Sequence, residues 1–281
     1  MHKLNEPACR PASRSRTEGR QAGMTKIYTT EITSDNIPSD NPLHQRLFKA
    51  YVVAQDYVKG NVLEVGCGEG RGVEALLSKS TQFTAVDKIE EALQVLRKKF
   101  PTGKFLGMNI PPFGELKDNE YDCVVSFQVI EHIQNDVLYL REIHRVLKPG
   151  GIALLTTPNR KLSLSRNPWH IREYFAQELK DLASQIFSNV EMKGITGNEK
   201  VMEYYEQNKK SVERITRWDI FKLQHNLPAW MLRMPYELLN RMNRNKLQSG
   251  DDSLVSSIRH EDYLVTDRAD EALDLLLVVR K

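Results

Sequence analysis

Cysteine is scarce in this 281-residue chain: Cys9, Cys67 and Cys123 are the three present, with no paired spacing and no Cys/His cluster. That argues against a disulfide framework and a structural zinc site, and it suits a reducing, cytoplasmic compartment. Long apolar runs are missing too. The longest, Leu275 to Val279, falls far short of the roughly 18 residues that a membrane span needs. Nor does one sign of charge dominate. The formal net charge of +3 resides in residues 1–23, where Lys3, Arg10, Arg14, Arg16 and Arg20 stand against Glu6 and Glu18, leaving 35 basic and 35 acidic residues in the remainder. Composition therefore offers no global attraction to nucleic acid.

Residues 1–23 have no hydrophobic periodicity and are rich in Arg, Ser, Ala, Pro and Gly. They read as a disordered leader or tail, or as sequence upstream of a start at Met24, with a basic targeting peptide as the alternative. Asn41-Pro42 reads as a cap and first-turn proline, after which Leu43, Leu47, Tyr51, Ala54 and Val58 recur at helical spacing. Strand patterns then alternate with helical ones: strands over 61–65, 82–86, 104–108, 121–127 and 152–157, helices over 72–79, 89–100 and 136–147. A helix over 173–184, a strand over 189–194 and a last strand over 273–280 follow. This alternation predicts an α/β fold, a parallel sheet with helices on both faces, whose ligand crevice lies at the carboxyl ends of the strands. Residues 198 to about 260 break the alternation and read as polar helices with aromatics, an insertion before the last strand.

The segment Val62-Leu63-Glu64-Val65-Gly66-Cys67-Gly68-Glu69-Gly70-Arg71-Gly72 is a buried strand running into glycines ahead of a helix, a place where backbone can approach a ligand. A dinucleotide site needs a small residue at position 71, where Arg71 stands, so the spacing disfavours it. Glu64 is badly placed for a pyrophosphate and better suited to a cationic ligand. Asp87, at the end of the second strand, can accept both hydroxyls of a ribose; capping the next helix is its bland alternative.

Glu64-Val65-Gly66-Cys67-Gly68-Glu69-Gly70, Asp87, Tyr121-Asp122, Val129-Ile130-Glu131-His132-Ile133 and Leu147-Lys148-Pro149-Gly150-Gly151 together resemble the class I S-adenosylmethionine (SAM) dependent methyltransferases. The resemblance covers roughly residues 40–196 and the last strand. It implies a Rossmann-like sheet of seven strands and a SAM-dependent methyltransferase activity, with S-adenosylhomocysteine as product. It also implies that Gly66, Cys67, Gly68 and Gly70 wrap the methionine part, with Glu64 beside them, and that Asp87 and Lys88 hold the ribose. Met108, Asn109 and Ile110 fall at the adenine, Asn109 standing in place of the usual Asp, and Phe127 and Gln128 fall at the methyl region.

Methyl transfer from a sulfonium starts from an activated electrophile, so the protein mainly positions a nucleophile and manages one proton. His132, just past the fourth strand, and His170, in Asn167-Pro168-Trp169-His170-Ile171-Arg172-Glu173-Tyr174-Phe175, qualify by position as bases or substrate contacts. Each also has a purely structural reading, in packing or in a loop hydrogen bond. Gln128-x-x-Glu131-His132 is similar to a Glu-x-x-Glu-His arrangement that holds magnesium in one branch of the family, but Gln128 replaces the first carboxylate, and no metal is expected. The segment around His170 resembles one found in members that methylate sugars, lipid intermediates and other small metabolites. The acceptor expected is a small molecule, such as the hydroxyl of a saccharide or lipid-linked metabolite, and the partner is not nucleic acid. A protein or RNA methyltransferase and a SAM-binding module without turnover remain alternatives. The Asn/Asp-Pro-Pro-Tyr signature of amino methylation is missing after the fourth strand, which carries Ser126-Phe127-Gln128-Val129 instead.

These readings divide the chain into 1–23, a methyltransferase domain of 24–196 plus 261–281, and a helical insertion or cap at 197–260. In the cap, Val201, Tyr204, Tyr205, Val212 and Ile215 form one apolar stripe. Trp218, Phe221, Trp230, Met231, Met234 and Tyr236 crowd a stretch with Pro228 and Pro235, suggesting short helices that present aromatics and thioethers to an amphiphilic acceptor. Plain packing, an acidic membrane surface contacted peripherally and a homodimer interface, as against a monomer, are the competing roles.

Overall fold

The computed structural model describes residues 37–217 and 227–281. The leader, Cys9, Trp218 and Phe221 lie outside these residues, as does the side chain of Ile215. In chain order the elements are α1 (Asn41–Ala54), β1 (Asn61–Val65), α2 (Val73–Leu77), β2 (Gln82–Asp87), α3 (Glu90–Lys99), β3 (Lys104–Gly107), β4 (Tyr121–Phe127), α4 (Asp136–Val146), β5 (Leu147–Pro158), α5 (Ala176–Ser184), β6 (Asn189–Gly197), α6 (Glu199–Thr216), α7 (Ala229–Gly250), α8 (Asp252–Ser257), β7 (Tyr263–Thr266) and β8 (Asp274–Arg280).

The strands join into one Rossmann-like sheet in the order β3-β2-β1-β4-β5-β8-β6-β7. β1 to β5 run parallel, while β8 is antiparallel to both β5 and β6. The chain moves outward from β1 to β3 on one side and from β4 onward on the other, so the topology switches between β1 and β4, where open α/β sheets bind ligands. Apolar residues fill both faces of the strands, as a sheet covered on both sides requires. Val62, Cys123, Val125, Ile152, Leu154, Leu276 and Val278 pack with Tyr51, Leu76, Leu93 and Leu96 of α1, α2 and α3. The alternate positions Leu63, Val65, Val124, Ala153, Leu155, Leu275 and Leu277 pack with Tyr139, Leu140, Ile143 and Leu179 of α4 and α5. Each such large side chain, taken fully out of water, contributes roughly 1.5–3 kcal/mol. Asn135 caps α4, its Oδ1 accepting from the Leu138 N–H at 3.0 Å.

Three expectations need correction. The sheet has eight strands rather than seven, because Tyr263 to Thr266 add an edge to β6; with Leu264 and Val265 exposed, this strand has no buried alternation to betray it. The cap thus lies between β6 and β7, not directly before the last strand. Asn41 does not cap α1: its Nδ2 donates to the carbonyls of Val255 and Ile258, tying the helix to the end of the cap. Finally, Pro228 precedes a helix but Pro235 does not break it, and α7 runs through it for 22 residues. The proline removes one backbone bond, to the Met231 carbonyl. Further on, Arg241 and Arg244 hold the helix to buried Asp40. Among the described residues, no helix is long and apolar enough to cross a membrane.

Candidate active site

β1 ends in the glycine loop, and φ is +81° at Gly66, +51° at Gly68 and +81° at Gly70, the left-handed region in which glycine carries no penalty. Space demands glycine as well. A Cβ on Gly66 would stand 2.4 Å from Val129 Cγ2, and one on Gly72 would stand 1.7 Å from Tyr51 Cδ1. The loop is thereby pressed between α1 and the segment after β4. Asp87, at the tip of β2, fixes its shape: Oδ2 accepts from Gly68 N–H at 2.8 Å and Oδ1 from Ile89 N–H at 3.0 Å. Each carboxylate oxygen still has a lone pair for a ligand hydroxyl.

In front of this loop lies a cleft of about 630 Å³, within the size range of cofactor sites. Gly66, Cys67, Gly68, Gly70, Asp87, Lys88, Asn109, Ile110, Phe127 and Gln128 all line it, at the carboxyl ends of β1, β2 and β4. Glu64 and Met108 do not. Met108 packs half-buried against the α4 side of the core. Glu64 is buried behind the loop, where Oε1 accepts from Tyr51 OH at 2.8 Å and Oε2 has no partner. Burial, opposed by the Tyr51 bond and aided by nearby Asp87, raises its carboxyl to about 7. The same burial and the same two acids push the Cys67 thiol well above its ordinary value, so it is a small neutral wall and not a nucleophile. His44, Phe48 and Tyr51 from α1, with His260 from the end of the cap, close the cleft. Only Tyr51 and its helical neighbours had a signal in sequence, and it was read as core.

A second cavity, of about 300 Å³, opens beside the first and shares Leu47, Gln128 and His132 with it. Its floor is the Glu131-His132 turn and the segment after β5. Its roof is Val201, Tyr204, Tyr205 and Val212 of α6 with Tyr236, Asn240, Arg241 and Arg244 of α7. Gln128, at the junction, has φ +58°, a strained backbone for a residue with a side chain. Its N–H donates to the Thr156 carbonyl at 2.9 Å. Contrary to expectation, Trp230, Met231 and Met234 do not face the cavity but are exposed.

His132 and His170 meet edge to face, 5.0 Å between ring centroids. His132 Nδ1 bonds the Trp169 carbonyl at 2.9 Å; a carbonyl only accepts, so Nδ1 is the donor. His170 is engaged through both nitrogens, Nδ1 with Glu173 Oε1 at 2.6 Å and Nε2 with Asn167 Nδ2 at 2.8 Å. Burial works to raise the Glu173 carboxyl, yet the bonds from His170 and Ser163 outweigh it and hold it low. Sequence reading weighed Glu131 within a magnesium-type arrangement and gave it no part as a base. It is buried, Oε2 accepts from Thr157 Oγ1 at 3.0 Å, and Oε1 has no partner. Burial, against the pull of His170 and Thr157, raises its carboxyl to about 7. Ligand atoms of Glu131, His132 and His170 lie within 4.8 Å of one another.

Residues 63–155 match the family described as "Methyltransferase domain". Two probable S-adenosylmethionine-dependent methyltransferases of Mycobacterium tuberculosis strains are 39% identical over 127 residues, 43% of this chain and 46% of theirs. A ubiquinone biosynthesis O-methyltransferase of Rickettsia canadensis is 34% identical over 110 residues, 37% of this chain and 45% of that protein. The chain spans about half the length of the curated relatives it matches. Among solved structures, a SAM-dependent methyltransferase of Thermotoga maritima, a possible histamine N-methyltransferase, superposes with a TM-score of 0.52 at 18% identity over 85% of this chain and 91% of its own. A Haemonchus contortus phosphoethanolamine N-methyltransferase in complex with SAM gives 0.51 at 17% identity, over 83% of this chain and 52% of its own.

Proposed function

We propose that the chain, whose residues 63–155 match a methyltransferase domain, is a class I SAM-dependent methyltransferase that methylates a hydroxyl of a small-molecule acceptor seated in the cavity under the cap. The observation that carries this reading is the junction of the two cavities at Gln128 and His132, which sets an acceptor beside a cofactor. The residues present fit SAM. The glycine loop offers backbone to its methionine part, Asp87 keeps lone pairs for the ribose, and Asn109 and Ile110 fall at the adenine. When bound, SAM supplies an activated methyl group. The chain has to align the acceptor oxygen and take one proton.

Glu131 is the better proton acceptor of the site. Its Oε1 has no partner and its carboxyl is raised to about 7, near the range where a general base works best at neutral pH. We assign His132 Nε2 to the acceptor and His170 to positioning, because Glu173 and Asn167 occupy both its nitrogens. An uncharged acceptor is favoured over an anionic one, since Arg241 and Arg244 are spent on Asp40 and Arg46 lies 3.2 Å from Asp274. The domain division follows the same logic, residues 24–196 plus 261–281 carrying the chemistry and 197–260 covering the acceptor, in a cytoplasmic protein. Transfer of labelled methyl from SAM into extracted lipids, saccharides and small metabolites tests the reading. On the acceptor found, Glu131→Gln lowers turnover about 10²- to 10⁴-fold with cofactor affinity kept; full turnover in that variant removes the assignment. Chelation separates this proton transfer from a second reading favoured by the Glu131, His132 and His170 cluster, in which a divalent ion holds the acceptor.

A further inference from the structure

The face of α7 that turns away from the acceptor cavity is apolar and, among the described residues, uncovered. Trp230, Met234, Leu238 and Met242 follow one another at intervals of four residues and are 70%, 75%, 63% and 59% exposed, with Met231 and Leu239 beside them. At 100° per residue these six side chains sweep about half of the helix circumference, opposite the arc of Tyr236, Asn240 and Asn243 that lines the cavity. Among the described residues nothing buries this face, and the same helix already has an inward one.

We infer that α7 seats the protein on an anionic lipid bilayer, its exposed stripe entering the boundary between headgroups and acyl chains. Charge favours that occupant. α7 carries Arg233, Arg241, Arg244 and Lys246 against Glu237 alone; Arg241 and Arg244 pair with Asp40 on the inner side, and exposed Arg233 and Lys246, towards the two ends of the helix, are the cations placed to meet headgroups. A cationic helix with Trp, Leu and Met on one face is the pattern of segments that lie in the interface plane. The stripe is one helix wide, and 12 residues of rise make it about 18 Å long. A bilayer requires no matching shape. The loop at His170 lies beside α7, with the Arg233 guanidinium 3.9 Å from the centre of the Trp169 ring, and Ile171, two residues on, is also exposed. One wall of the acceptor cavity is thus the inner side of the membrane-facing helix.

Co-sedimentation of the full chain with vesicles tests this without any knowledge of the acceptor. The chain pellets with phosphatidylcholine vesicles containing phosphatidylglycerol, pellets less as salt is raised, and stays in solution with phosphatidylcholine alone. The double substitution Met234→Glu with Leu238→Glu abolishes pelleting, while the far-ultraviolet spectrum and SAM binding by calorimetry remain those of the parent. Failure of the unsubstituted chain to pellet with either vesicle overturns the inference. So does a dimer in light scattering that the double substitution splits without any vesicle binding, which identifies the stripe as an interface between copies. The proposed methyl transfer can fail while this stands, because no readout here involves turnover.

Discussion

Replacing Asp40 by alanine removes the carboxylate to which the longest helix of the cap is fastened. The Asp40 side chain is 1% exposed, and it accepts from Arg241 Nη1 at 2.9 Å, from Arg241 Nη2 at 3.2 Å and from Arg244 Nη1 at 2.9 Å. Hydrogen bonds to charged groups contribute about 1.5–3 kcal/mol, and removing one partner of a fully buried ion pair costs about 3–5 kcal/mol. Here the two guanidiniums are 35% and 25% exposed, so each can turn to water once its partner is gone. That rehydration brings the expected loss of stability down to about 2–3 kcal/mol. For a chain of this size it corresponds to a melting temperature about 4–12 °C lower. Urea unfolding of Asp40→Ala beside the parent measures it, and calorimetry with SAM should show unchanged cofactor binding, because Asp40 lines only the acceptor cavity. A loss under about 1 kcal/mol, the scale of an exposed ion pair, would refute the idea that this cluster anchors the cap.

Two further outcomes follow from buried groups. The Glu64 and Glu131 carboxyls are raised to about 7, against about 4.3 in an unfolded chain, so the folded state holds their protons more tightly. Their contribution to stability is present in full below about 4.3 and is lost as pH rises through about 7. Glu131→Gln should flatten the fall in unfolding free energy between mildly acidic and neutral pH, and an unaltered slope in urea unfolding would contradict the burial argument. Gly72→Ala puts a Cβ 1.7 Å from the Tyr51 ring. Overpacking of that kind costs about 1–3 kcal/mol, and the displaced Tyr51 should weaken SAM binding; a variant that melts and binds like the parent would show that α1 yields freely.

The strands of the sheet were legible because Val62 to Val65, Cys123 to Phe127 and Ile152 to Thr157 are apolar on both faces, and the glycine loop because its backbone has to be glycine. Ten of the twelve residues expected at the cofactor line the cleft, since they sit at strand ends that the alternation already located. Glu64 stays out of the cleft because it shares the α1 face of β1 with Val62, where the Tyr51 hydroxyl bonds it, a contact that the local pattern does not reveal. The same kind of distant contact hid the state of Glu131, whose buried carboxyl is bonded by Thr157 on one oxygen alone, and brought His44 and His260 to the cleft from opposite ends of the chain. Aromatics and methionines in the cap read as a pocket lining because a helical period shows that a face is apolar without showing where it points. α7 has two faces worth covering, and Asp40, some 200 residues earlier in the sequence, decides which one turns inward.

Calorimetric titration of the full chain with SAM addresses the central claim most directly. One site is expected, and Asp87→Ala should weaken it about 10- to 150-fold, the equivalent of the 1.5–3 kcal/mol of a hydrogen bond to a charged group. Asp87→Asn should weaken it as well, because an amide nitrogen cannot accept both the Gly68 N–H and a ribose hydroxyl. Absence of binding by the parent chain, or equal affinity in the parent and Asp87→Ala, would contradict the placement of the cofactor in the glycine-loop cleft.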